Sequence, residues 1–216
     1  MQAIIFANGE LTEQTTAATL AAGGDLLLAA DGGARHCQQL GITPDKIIGD
    51  LDSLTAEERH RWEAAGVEII IHPPNKDETD LELALLHALE LGCTQALVLG
   101  ALGKRWDQTL ANLLLPGYAK LAGLAISFWD AGTWFYLIAD HHTIQAAKGT
   151  TISLLPLGGN VHGVTTAGLA YPLNNETLYR GATRGVSNEM LNEQASITLT
   201  AGLLLCIVQP SESTTI

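Results

Sequence analysis

The stretch "KIIGDLDSL", residues 46–54, ends a short apolar run in two carboxylates, Asp50 and Asp52, two positions apart. A short apolar run bounded by turn residues reads as a strand buried on both faces, the pattern of a parallel sheet. Five more runs of this kind precede residue 130: "QAIIFA" (2–7), "DLLLAA" (25–30), "VEIII" (67–71), "QALVLG" (95–100) and "AISFW" (125–129). Helical stretches separate them. Thr55 and Glu58 form a capping box opening "AEERHRWEAAG", which Gly66 stops, and Thr79 with Glu82 opens "DLELALLHALELG", which Gly92 stops. A helix from about residue 107 to 115 ends or kinks at Pro116. Strands alternating with helices predict an open, mostly parallel α/β/α sheet over residues 1–131.

From Thr133 onward the rhythm changes to alternating, Thr-rich and Gly-punctuated runs such as "TWFYLI", "TTISLLPL", "ASITLT" and "GLLLCIVQ". This half, 132–216, is expected to be all-β, a smaller C-terminal β-sandwich. The seam is set near residues 131–133, without a long linker, and "PSESTTI" (210–216) reads as a frayed tail.

Charge and cysteine usage narrow the partners. Net charge is −12, from 23 acidic and 11 basic residues, which repels nucleic acid and anionic membrane over most of the surface. An anionic substrate then needs a local site or a metal. No apolar run is long enough to span a bilayer, and "MQAIIFANGE" lacks the basic region of a secretory leader. Three cysteines without C-x-x-C spacing imply neither a disulfide framework nor a zinc site, so a reducing cytoplasm is expected.

Ligands of an open α/β sheet sit outside the carboxyl ends of its strands. Six carboxylates follow apolar runs here: Asp31, Asp50, Asp52, Asp77, Asp80 and Asp107. Singly, Asp31 or Asp77 is equally a loop or N-cap residue. The pair Asp50 and Asp52, on an extended segment, points one way and needs a cation between. With Asp77 and Asp80 it suggests an oxygen-only site for a hard cation such as Mg²⁺. "GKR" (103–105) opens a helix whose N-terminus favours phosphate, although Val98 and Arg105 exclude a P-loop. The glycines of "DGGAR" (31–35) allow backbone to approach a nucleotide. His141 and His142 are adjacent and diverge on a strand, so solvated or turn positions are expected.

The ordered set "DGG" at 31, "GDLDS" at 49, "DETD" at 77 and "GKRWDQ" at 103 resembles the thiamin pyrophosphokinase family, with its D-G-G, G-D-x-D-S, D-x-T-D and G-G-R-x-D-H segments. "TTAGLAYPL" (165–173) and "TRGVSNE" (183–189) resemble the family's thiamin-side segments. Lys104 replaces the usual Gly and Gln108 the usual His. The resemblance implies transfer of the pyrophosphoryl group of ATP to the hydroxyethyl oxygen of thiamin, giving thiamin diphosphate and AMP. It implies Asp50, Asp52 and Asp80 on Mg²⁺, with Asp77 a weaker fourth, and Arg105 on phosphate with Lys104 or Lys76. Asn8, Asp31, Gly32, Gly33, Asp77, Lys104 and Arg105 are assigned to ATP. Asp107 joins Asp50, Asp52, Asp80 and Arg105 as catalytic, the general base lying among Asp52, Asp80 and Asp107. Thiamin, a cation, is assigned to Tyr171, Ser187 and Asn188 of the β half, though a half-buried structural place suits Tyr171 equally. A homodimer with the thiamin site between subunits is implied. The rivals are a pyrophosphokinase acting on a pterin alcohol and a non-catalytic thiamin or nucleotide sensor.

Overall fold

A computed structural model describes residues 1–103 and 105–211; Lys104 and the end of the "PSESTTI" tail lie outside the described residues. The chain divides into two compact units, Met1–Ala131 and Gly132–Ile216.

In the first unit the elements run β1 (Gln2–Phe6), α1 (Gln14–Ala21), β2 (Leu26–Ala30), a 3₁₀ turn (Asp31–Gly33), α2 (Ala34–Leu40), β3 (Lys46–Gly49), α3 (Ala56–Ala64), β4 (Glu68–Ile71), α4 (Asp80–Glu90), β5 (Gln95–Leu99), α5 (Trp106–Leu114) and β6 (Ala125–Asp130). The strands are all parallel, in the order β4-β3-β2-β1-β5-β6. Chain order therefore reverses direction at β1 and β5, which is the switch point where an α/β sheet opens a crevice. Ile4, Ile5, Phe6, Leu28, Ile47, Ile48 and Leu99 are almost wholly buried, because helices cover both faces of a parallel sheet.

Helix ends follow the sequence. Thr55 Oγ1 accepts the Glu58 amide at 3.2 Å while the Glu58 carboxylate accepts the Thr55 amide at 2.7 Å, a reciprocal capping box. Thr79 caps α4 by accepting the Glu82 amide at 3.2 Å. α5 gives way to a 3₁₀ turn, Leu115–Gly117, at Pro116.

The second unit is antiparallel: β7 (Thr133–Ile138), β8 (His141–Gln145), β9 (Thr151–Ala167), β10 (Glu176–Leu178), β11 (Asn188–Glu189), β12 (Gln194–Thr198) and β13 (Ala201–Gln209). The 17-residue β9 organises it. Its first half pairs with β13 and β11, and its second half with β10 and β12; β7 and β8 join through β13 and β12. Ile152, Leu154, Val161, Leu178, Ile197 and Leu204 share one buried cluster. His141 and His142 lie on β8 and not in a turn; His141 is exposed, in line with a solvated position, and His142 is half-buried against Tyr136, with ring centroids 4.4 Å apart.

Candidate active site

A cleft of about 530 Å³ opens at the switch point of the first unit. Its walls come from the loops after β1 (Asn8, Gly9), β2 (Asp31), β3 (Asp50, Asp52, Ser53), β4 (Lys76, Glu78) and β5 (Gly100, Ala101, Gly103, Arg105), with Asp80 at the start of α4.

The carboxylates after β3 converge by a turn and not by strand alternation. β3 ends at Gly49, and Leu51 has φ +62° with its side chain 2% exposed. Burying Leu51 turns the backbone about it, and the Asp52 amide donates to Asp50 Oδ1 at 3.1 Å. This corrects the expectation of an extended segment. That amide, with Lys76 adding to it, holds the Asp50 carboxyl below its ordinary value.

Asp31 completes the group. β2 and β3 are parallel neighbours, so their terminal loops meet, and one oxygen each of Asp31, Asp50 and Asp52 lie within 4.8 Å of one another. Asp31 is 4% exposed, and burial pushes its carboxyl above the ordinary value against the opposing pull of Ser53 and the Gly32 amide. Its Oδ1 is buried with no hydrogen-bond partner among the described residues. Asp80 approaches from α4: a Cβ added at Gly49 would stand 3.0 Å from both Asp31 Cβ and Asp80 Oδ1, so a side chain there would crowd both aspartates. A hard, oxygen-only donor set with an unpartnered buried oxygen fits a divalent cation such as Mg²⁺.

Among the described residues, two basic side chains line the same cleft. Lys76 Nζ lies 2.9 Å from Asp80 Oδ1 and 3.5 Å from Asp50 Oδ2. Burial pulls the ammonium down, but the two carboxylates outweigh it and hold Lys76 above its ordinary value. Arg105 lines the cleft while gripping Asp107 through Nε–Oδ1 at 3.2 Å and Nη2–Oδ2 at 2.5 Å; both side chains are mostly exposed. Gln108 also reaches the wall.

Other expected residues sit elsewhere. Asp77 and Asp107 are not on the cleft wall, so four of the six strand-end carboxylates meet there; Asp77 borders an adjacent hollow beside Glu82 and Tyr118. Gly32 and Gly33 lie behind the wall, where an added Cβ would come within 2.3 Å of the Asn8 amide or 2.0 Å of the Phe6 carbonyl. They let the β2 turn pack on the end of β1, where Asn8 Nδ2 donates to Ser53 Oγ at 3.2 Å. The sequence reading missed His36, whose Nε2 bonds the Gly9 carbonyl at 3.0 Å, because nothing local predicts that contact.

In the second unit Tyr171 is 65% exposed and Asn188 is 5% exposed. Asn188 Oδ1 accepts the Tyr171 and Glu189 amides at 3.0 and 2.9 Å, and its Nδ2 donates to the Tyr171 carbonyl at 2.7 Å. Its amide is thus taken up in fixing the Tyr171 backbone. Ser187, at φ +58°, donates its amide to Ser153 Oγ at 3.1 Å.

Two family models match the chain, one within each unit. "Thiamin pyrophosphokinase, catalytic domain" matches residues 17–122, and "Thiamin pyrophosphokinase, vitamin B1 binding domain" matches residues 141–204. Thiamine pyrophosphokinase of Bacillus subtilis (strain 168) is 30% identical over 184 residues, covering 84% of this chain and 86% of that protein. The crystal structure of a thiamine pyrophosphokinase from Bacillus subtilis superposes with a TM-score of 0.83 at 29% identity, over 98% of this chain and all of that one. That of a thiamin pyrophosphokinase from Geobacillus thermodenitrificans gives 0.85 at 26% identity over the whole of both chains. Thiamin-specific models match both halves, so a pterin alcohol as acceptor is not favoured. The chain belongs to the thiamin pyrophosphokinase family.

Proposed function

We propose that the cleft of the first unit binds ATP with Mg²⁺ and that the thiamin hydroxyl attacks the β-phosphorus there. The bond from that phosphorus to the α–β bridging oxygen breaks, AMP leaves, and the hydroxyl proton passes to a carboxylate. Asp50, Asp52 and Asp80 hold the metal, and Asp31 joins them. The cation, when bound, neutralises charge on the phosphate oxygens. The observation that carries this reading is the grouping of Asp31, Asp50 and Asp52 with one buried oxygen unpartnered.

Arg105 supplies the phosphate clamp. Asp107 keeps its guanidinium oriented until phosphate competes for it, which the bidentate pair supports. Among the general-base candidates, Asp52 and Asp80 are favoured over Asp107, whose carboxyl is held low by Arg105 and lies off the wall. Asn8 serves ATP from the loop after β1. Lys104, outside the described residues, is retained as a second phosphate contact, and Asp77 as a weaker acidic neighbour.

Tyr171 offers its exposed ring to the thiamin cation. Asn188 acts through the Tyr171 backbone, and Ser187 stands beside it in sequence. The working assembly is a homodimer with the thiamin site between subunits. The setting is the cytoplasm, supported by three unpaired, buried cysteines.

Calorimetry with α,β-methylene-ATP, whose scissile linkage cannot break, tests the cleft assignment. Binding with Mg²⁺ that is lost with EDTA and in Asp52→Asn is expected; equal binding in all three conditions contradicts it.

A further inference from the structure

Lys76 stands in the loop between β4 and α4, its side chain only 10% exposed. Its ammonium bridges carboxylates from two different loops, Asp80 at 2.9 Å and Asp50 at 3.5 Å. Asp31 and Asp52 line the same cleft, so the Lys76 ammonium stands among four carboxylates and pairs with two of them. Burying an ammonium is costly unless it is paired, and burying clustered carboxylates is costly without a cation. Each therefore stabilises the other while the site holds no ligand.

The same contact sets up a competition. Mg²⁺ takes carboxylate oxygens at about 2.0–2.1 Å and tolerates little deviation. An ammonium on the same Asp80 oxygen places two cations against each other at short range, where repulsion in a partly buried site is strong. A metal that uses Asp80 must move Lys76. Lysine suits this task, since its charge rides on a flexible four-carbon stem and its three donors accept a new anion in many orientations.

We propose that Lys76 is a built-in counter-ion that excludes a bare divalent cation from these carboxylates and releases them when nucleotide phosphate offers the ammonium a replacement anion. The device rests on the reading of the cleft as a metal and nucleotide site. It couples the two ligands: metal enters with nucleotide, and Lys76 passes from carboxylate to phosphate as they arrive.

The test is Mn²⁺ binding to the full-length protein without nucleotide, followed by electron paramagnetic resonance of the free ion. Lys76→Met and Lys76→Gln are expected to bind Mn²⁺ at least about tenfold more tightly than the unaltered protein, and Lys76→Arg, which keeps the charge, to match it. Adding Asp52→Asn to Lys76→Met removes the gain if the ion sits on these carboxylates. A cooperative thermal transition in each variant establishes that it is folded. Equal or weaker Mn²⁺ binding in both neutral variants overturns the proposal, as does a gain that survives Asp52→Asn. If the neutral variants and the unaltered protein alike bind Mn²⁺ only with α,β-methylene-ATP, the metal reading stands and the role of Lys76 falls. If none binds Mn²⁺ saturably with or without that analogue, the metal reading itself fails.

Discussion

The amide of Asp52 donates to Asp50 Oδ1 at 3.1 Å across Leu51, whose buried side chain fixes the turn between them. Two carboxylates thus face one cleft beside Asp31, with Lys76 reaching Asp50 and not, among the described ion pairs, Asp52. Asp52→Asn should lower kcat by about 10²- to 10³-fold, the scale of losing one preorganised electrostatic contact, without lowering the thermal midpoint in the absence of metal. The reason for the second half is that a like charge disappears from a group of four carboxylates, of which Lys76 pairs with Asp50 and Asp80. Steady-state kinetics and a melting curve in EDTA check both; a large loss of stability would mean that Asp52 is structural.

A second expectation concerns Glu58. Hydrogen bonds from the Thr55 amide and Arg35 lower its carboxyl from an ordinary 4.5 to about 2. A depressed acid contributes stability that is complete above the unfolded value and is lost as pH falls through the folded one. The difference in unfolding free energy between the unaltered protein and Glu58→Gln should therefore be constant above about pH 5 and shrink between 4.5 and 2. Urea titrations at stepped pH measure it.

The two glycines flanking α2 should fail for different reasons. Gly33 has φ −57°, comfortable for alanine, but its added Cβ would meet the Phe6 carbonyl oxygen at 2.0 Å. Gly41 has open space and φ +67°. Gly33→Ala is expected to cost about 3 kcal/mol, since backbone cannot yield as a side chain does, and Gly41→Ala about 1 kcal/mol from backbone conformation alone. Chemical denaturation gives both values, and the reverse order would show that the β2 turn is not packed as described.

Asn188 and Tyr171 can be separated by kinetics. Tyr171→Ala should raise KM for thiamin with stability nearly unchanged, because the ring is exposed. Asn188→Ala should do the same and also destabilise by about 1–3 kcal/mol, since it leaves the Tyr171 amide and carbonyl without their partner. Neither should change KM for ATP.

How much of this was legible in the chain depended on the range of the interaction. Strands β1, β2, β3 and β5 could be read because burial leaves unbroken apolar runs, the edge strand β4 from its isoleucines although Ile71 is 61% exposed, and the Thr55 box because its partners are three residues apart. β10 and β11, of three and two residues, carry no period long enough to detect. The company of Asp31 with Asp50 depends on β2 and β3 being neighbours, which the runs do not encode. The glycines at 32 and 33 read as nucleotide contacts because the Asn8 and Phe6 groups that require them are some 25 residues away in the chain. Lys76 was visible as a basic neighbour of "DETD", but its grip on two carboxylates belongs to the folded loop.

The central claim is pyrophosphoryl transfer with attack at the β-phosphorus. A phosphorus NMR time course with ATP, Mg²⁺ and thiamin measures it directly. The account predicts thiamin diphosphate and AMP in equal amounts with no ADP; ADP with thiamin monophosphate would place the attack on the γ-phosphorus and contradict it.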